Sequence, residues 1–190
     1  MSYEDTIKIP SKRIAVLIGK EGKVKSHIEE MCSVKIDINS DTGEIALYTK
    51  SSMDAILPFK AAEIISAIGR GFSPKNALEL LKGQNALYII DIREFSGKSP
   101  KQIERVRARL IGEGGKARRT LENLSDAKLS IYGKTVAIIC DASKIRHVTK
   151  AVLALCSGSM HGSVYNKLES SRRRIKYERM VLWEGQNVHN

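Results

Sequence analysis

Apolar positions along the chain change period several times, and each change marks an element. Ile7 to Pro10 reads as a short extended entry, and Ile14 to Ile18 as a helical turn or two ended by Gly19. After Gly22, residues Val24, Ile28 and Met31 are spaced by four and three, the period of an amphipathic helix. Val34, Ile36 and Ile38 then alternate with Lys35 and Asp37, the period of a half-buried strand. The NSDTG run at 39–43 is a turn cluster, Glu44 to Tyr48 a second strand, and Met53 to Ile68 a long helix with Gly69 at its end. Ser73-Pro74 opens a short helix that Gly83 closes.

The second half repeats the order. Ala86 to Ile92 is a strand, and Ser99-Pro100 starts a helix, with a capping residue before a proline at the first helical position. That helix runs to Ile111, and another runs from Lys116 to Leu124. Lys128 to Tyr132 and Thr135 to Cys140 are strands around Gly133-Lys134, and Ile145, Val148, Val152 and Leu155 space a further helix. After Gly158, residues 161–183 read as a last helix with Val164, Leu168 and Ile175 on one side.

The two halves are copies of one unit. LIGKEGK at 17–23 matches LIGEGGK at 110–116, an offset of 112 − 19 = 93 residues. The register continues without a gap: Ile28 faces Leu121, Val34-Lys35-Ile36-Asp37-Ile38 faces Ala127-Lys128-Leu129-Ser130-Ile131, and Ile45 faces Ile138. Two domains follow, 1–83 with its linker helix and 84–190 with a helical extension.

Charge narrows the partner. The formal net charge is +11, unevenly placed: residues 1–84 hold 12 Lys and Arg against 11 Asp and Glu, residues 85–190 hold 20 against 10. A chain this basic meets a polyanion, and the second half should dominate the attraction. No apolar run approaches the roughly 18 residues of a spanning helix, and MSYEDTIKIP holds no apolar signal region, so a membrane is not the partner. Cys32, Cys140 and Cys156 are widely spaced with no C-x-x-C pair, which reads as buried free thiols in a reducing cytosol. His27, His147, His161 and His189 are scattered, so neither a metal nor a cofactor is expected.

The glycine pair Gly19 and Gly22 joins two helices, and the second helix offers free backbone N–H groups that attract phosphate. Small residues let a sugar-phosphate backbone approach. This order of elements around a G-x-x-G resembles the KH domain, a module for single-stranded RNA or DNA whose loop clamps about four nucleotides. The resemblance implies an α+β fold of two tandem type I KH domains, each a three-stranded antiparallel sheet packed against three helices, plus a C-terminal basic helix. It also implies an apolar groove beside each loop that receives the bases. In the first unit Ile14, Leu17 and Ile18 with Ile36 and Ile38 would form it, beside Gly19, Lys20, Glu21, Gly22, Lys23 and Lys25. In the second, Arg107, Leu110 and Ile111 with Leu129 and Ile131 would form it, beside Gly112, Glu113, Gly114, Gly115 and Lys116. By spacing alone, ordinary core accounts for about half of these aliphatics. Aromatic content of 5% argues against modules that stack bases on exposed rings. A nucleotide-hydrolysing P-loop fails because Ala117 follows the lysine where Ser or Thr is needed.

The loops differ in charge. GKEG carries a lysine; GEGG carries none, and Glu113 would face a phosphate unfavourably. Lys116, Arg118 and Arg119 follow, and Lys98, Lys101, Arg105, Arg107 and Arg109 precede, eight basic residues against two acidic between 98 and 119. Both phosphate clamping and protein contact remain open for this loop. In the last helix Arg172, Arg173, Arg174, Lys176 and Arg179 cluster, either as phosphate contacts or as a solvated basic face.

The two units, the GFSPKNALELL linker and the HGSVY…LESSRRR ending together resemble the archaeal members of the partner-of-Nob family, over nearly the whole chain. That resemblance implies a cytoplasmic, non-catalytic adaptor of small-subunit ribosome assembly. It would bind single-stranded rRNA near the 3′ end and partner the processing endonuclease and the alpha subunit of translation initiation factor two. No paired carboxylates or nucleophile–base set at sensible spacing supports an enzyme. A generic KH factor of transcription or RNA decay, and a protein scaffold with one RNA-inactive unit, are the alternatives.

Overall fold

A computed structural model of the chain describes residues 4–49, 56–97 and 99–187. They form two compact bodies, one within Met1–Ile90 and Lys128–Asp141, the other within Asp91–Ala127 and Ala142–Asn190.

The first body begins with β1 (Glu4–Lys8), α1 (Ser11–Ile18), α2 (Lys23–Cys32), β2 (Val34–Ile38), β3 (Glu44–Thr49), α3 (Ile56–Gly69) and α4 (Pro74–Ala77). The expected start of α3 at Met53 lies outside the described residues. β3 pairs antiparallel with β1 on one side and β2 on the other, with Ala46 opposite Thr6 and Leu47 opposite Ile36. The alternation in β2 sets its faces, so Val34 and Ile36 are buried while Lys35 and Asp37 point out. The turn at 39–43 closes on Asn39, whose Oδ1 accepts from the N–H groups of Asp41 and Thr42 at 3.1 Å. α3 is apolar nearly all round and lies in the middle of the core with Ile64, Ile65 and Ile68.

This body also holds a second sheet of β4 (Asn85–Asp91), β5 (Lys128–Tyr132) and β6 (Thr135–Asp141), in the order β4-β6-β5. β5 and β6 are antiparallel, and Tyr132 faces Thr135 across the two-residue turn Gly133-Lys134. Its attachment is specific. The Ser130 hydroxyl donates to the Arg70 carbonyl at 2.8 Å, and Arg13 stands 5.8 Å from the Tyr132 ring centroid. Arg13 also donates to the carbonyls of Ile68 at 2.8 Å and Phe72 at 2.5 Å, which ties α1 to the end of α3. Gly71 leaves no room for a side chain, since a Cβ there would stand 2.7 Å from Ser130 Oγ.

The second body is helical: α5 (Arg93–Ser96), α6 (Pro100–Ile111), α7 (Lys116–Ser125), α8 (Ala142–Cys156) and α9 (His161–Asn187). α5 was not legible in the periodicity. It starts on the side chain of Asp91, which accepts from the Arg93 N–H at 2.9 Å. Ser99 does not cap α6 through its hydroxyl; its carbonyl accepts from Gln102 and Ile103, and Pro100 supplies the first helical position. The hydroxyl cap does form at Ser73, which accepts from Asn76 N at 3.4 Å. Ile103, Val106, Leu110, Leu121, Val152 and Leu155 are buried, and α9 adds Val164 and Leu168. α9 continues past the expected end at 183. Lys98 and the side chain of Arg179 lie outside the described residues.

Candidate nucleic-acid interface

Both glycine loops adopt one backbone. In the first, φ/ψ is 71/178° at Gly19, 56/27° at Glu21 and 75/4° at Gly22. In the second it is 70/175° at Gly112, 54/22° at Gly114 and 79/14° at Gly115. The first glycine of each pair occupies a region that side chains avoid, and it is also packed tight. A Cβ on Gly19 would stand 2.4 Å from Val24 Cγ2, and one on Gly112 would stand 2.8 Å from the Ala117 nitrogen. At Gly22 a Cβ would meet nothing within 4 Å, so this side of the loop is open. Each loop is therefore a sharp, reproducible bend that presents the next helix's N-terminus to an approaching anion.

Charges around the bends differ. Lys20 is exposed, and Lys23 pairs with Glu21 at 2.9 Å, both well exposed, so the pair adds little stability. In the second loop Glu113 and Gly114 are exposed, with Lys116 and Arg119 exposed beside them. Arg118 lies 3.7 Å from Glu122 and is half-buried.

Beside the first loop is a cleft of about 430 Å³, lined by Ile18, Gly22, Lys25, Ser26, Glu29, Asp37, Ile38 and Ser40. Ile18, Gly22, Lys25 and Ile38 of the expected groove come together here. Ile14, Leu17 and Ile36 do not line it; at 5%, 0% and 1% exposure they are core beneath it. Of the polar lining, Lys25 was expected, and Ser26, Glu29, Asp37 and Ser40 were missed in the sequence. Their signal was the outward register of Asp37 on β2 and of Ser26 and Glu29 on α2. Glu29 also has a structural task, because its Oε1 accepts from the Ile36 N–H at 2.7 Å.

In the second copy Leu110 and Leu129 are buried in their own bodies, and Ile111 and Ile131 are half-buried. Arg107 is half-buried, and its Nε has no hydrogen-bond partner among the described residues. Arg109 turns inward, donating to the carbonyls of Leu155 at 3.0 Å and of Ser159. His161 donates from Nε2 to the Arg109 carbonyl at 3.0 Å and so holds the start of α9 to the end of α6. On α9 Arg172 donates to the Asn123 carbonyl at 3.5 Å, Arg173 pairs with Glu169 at 2.7 Å, and Arg174 is exposed.

Comparison with known proteins agrees with this geometry. Residues 4–56 match the KH domain, and residues 86–173 match the eukaryotic type KH domain, KH-domain type I. A KH domain-containing protein of Methanocaldococcus jannaschii is 40% identical over 95% of this chain and 79% of its own length. The crystal structure of Dim2p from Pyrococcus horikoshii is 44% identical, with a TM-score of 0.82 over 88% of this chain and 99% of that one. The chain belongs to the partner-of-Nob family of tandem-KH proteins. Another structure from Pyrococcus horikoshii, of a complex of a/eIF2alpha, aDim2p and rRNA, matches with 42% identity and a TM-score of 0.85 over 91% of this chain and 96% of that one. The two Pyrococcus horikoshii structures thus share the fold described above.

Proposed function

We propose that the chain binds single-stranded RNA through its two glycine loops and acts as a non-catalytic adaptor at the 3′ end of small-subunit rRNA during ribosome assembly. The observation that carries this reading is the cleft beside the first loop. There a bend open at Gly22 meets a groove with two aliphatic walls, Ile18 and Ile38, and a polar edge of Lys25, Ser26, Asp37 and Ser40. A backbone phosphate at the bend places its base over the groove. The relatives named for rRNA and for a/eIF2alpha support the same partners here: rRNA and the alpha subunit of translation initiation factor two. The rRNA-processing endonuclease is a further partner by family resemblance, and the setting is cytoplasmic. Residues 1–83 and 84–190 act as the two KH domains. Carboxylates near the first loop support a binding role, since Glu21 pairs with Lys23 and Glu29 with the Ile36 N–H. The exposed Glu113 favours a second reading for the second loop alone, in which it contacts protein.

Fluorescence anisotropy tests the proposal, with a labelled RNA matching the rRNA 3′ end, a scrambled strand of equal composition, and a duplex. The authentic strand should bind most tightly, with a salt slope near −4 for about six neutralised phosphates. Equal, salt-driven binding to all three would leave only a basic protein.

A further inference from the structure

The helical body holds a second cavity at the far end of α7 from its glycine loop, about 15 Å along the helix by its ten residues. α8 and α9 complete the cavity, which measures about 240 Å³. Leu124, Val148, Leu168 and Ile175 give it aliphatic walls from three helices. Its mouth carries Lys144, Arg172 and Lys176, with His147 beside them and one carboxylate, Asp126. That carboxylate is already matched within the chain: Lys144 Nζ donates to its Oδ2 at 3.0 Å, and Arg172 Nη2 lies 3.9 Å from its Oδ1. The end of α7 is matched as well, by the bond from Arg172 to the Asn123 carbonyl. Three cations against one carboxylate leave a mouth of net charge 3 − 1 = +2 over an apolar floor.

We propose that this cavity docks an acidic peptide segment of another protein. One aliphatic side chain of the segment seats between Leu124, Val148, Leu168 and Ile175, and its flanking carboxylates face Arg172 and Lys176. The walls decide between peptide and nucleic acid. A base needs a ring or guanidinium plane to stack on, or polar groups that read its edges. The floor is aliphatic, and most of the polar lining is engaged within the chain: the Ser125 hydroxyl donates to the Leu121 carbonyl, and Arg172 is held by the Asn123 carbonyl and Asp126. Apart from Lys176 at the mouth, this leaves Ser171 and the exposed His147 as the polar groups beside an apolar seat. An aliphatic anchor needs only a dry, shaped seat, and the charged mouth supplies orientation and selectivity against basic segments.

The test pans a random dodecapeptide phage library on the full chain and measures labelled synthetic copies of the recovered peptides. The expected peptides carry one Leu, Ile or Met flanked by Asp or Glu. Ser171→Phe, which fills the cavity from its wall, and Lys176→Glu, which reverses a charge at the mouth, each weaken them at least tenfold. Lys75→Glu, in the first body, changes peptide binding less than twofold. Ser171→Phe leaves single-stranded RNA binding within twofold. Because Lys176 is exposed, its variant keeps the test decisive if Ser171→Phe folds poorly. Recovery of no acidic-aliphatic consensus would overturn the proposal, as would peptides indifferent to Lys176→Glu. A parallel loss of RNA binding in a well-folded Ser171→Phe would assign the cavity to nucleic acid instead.

Discussion

The two glycine loops share their backbone to within about 10° and the exposed lysine that follows, Lys23 or Lys116, but differ in the residues at their centre. Lys20 of the first is Glu113 of the second; Glu21, held in the left-handed region, is Gly114. The difference extends to the strands. Asp37 is exposed at the edge of the first cleft, whereas its counterpart Ser130 is buried and bonded to Arg70. Duplication thus preserved the bend and left the charges free to diverge. The bend is fixed by packing within the chain, and the charges by what lies outside it.

Breaking the bend should have the largest effect. Gly112→Ala should cost about 3 kcal/mol and Gly19→Ala about 2, because the first new Cβ meets backbone and the second mainly the Val24 side chain. Gly22→Ala, with open space, should cost only about 1 kcal/mol, for its left-handed φ alone. Urea unfolding ranks the three, and equal costs would show that packing does not fix the bend.

Next in size is charge. Lys20→Glu should weaken single-stranded RNA binding about fivefold and Glu113→Lys should strengthen it by a similar factor, each close to 1 kcal/mol for a screened contact. Competition binding at fixed salt reads both. A smaller effect tests the backbone difference. Glu21→Gly makes the first loop like the second and should raise stability by about 0.5–1 kcal/mol by removing left-handed strain, less the entropy a glycine adds to the unfolded chain.

The smallest effect compares the two bodies through their thiols. Burial pushes Cys32 in the first and Cys156 in the second from 9.0 up to about 11. The fold keeps both protonated while the unfolded chain loses those protons, so their stabilising contribution is complete below pH 9 and disappears as pH rises to about 11. Cys32→Ala and Cys156→Ala should each flatten the fall in stability across that window. Both thiols should also resist a thiol reagent at pH 8 until their body opens. Rapid labelling of one thiol in the native chain would show that its body opens more easily.

Much of this was legible beforehand because burial follows period. Val34 and Ile36 alternate inward with Lys35 and Asp37 outward, and Ile64 and Ile68 lie in the core as the helix spacing requires. The 93-residue repeat offset alone aligns both loops. The elements that escaped depend on single side chains rather than on pattern. α5 starts on the Asp91 carboxylate, and Ser99 offers its carbonyl where its hydroxyl was expected. The site was half legible for the same reason. Periodicity finds apolar residues but does not say which lie beneath a cleft and which line it, so Ile14, Leu17 and Ile36 were grouped with Ile18 and Ile38. Arg109 read as a free cation beside the loop, yet its guanidinium holds the chain around Ser159, a contact 50 residues away that no local pattern encodes.

The most direct measurement is the dependence of RNA affinity on salt for the native chain, Lys20→Glu and Glu113→Lys, with the rRNA 3′-end strand as ligand. If each bend holds a phosphate, the slope should become shallower by about 0.7 for Lys20→Glu and steeper by about 0.7 for Glu113→Lys. Three identical slopes would contradict the account and place the phosphates away from both glycine loops.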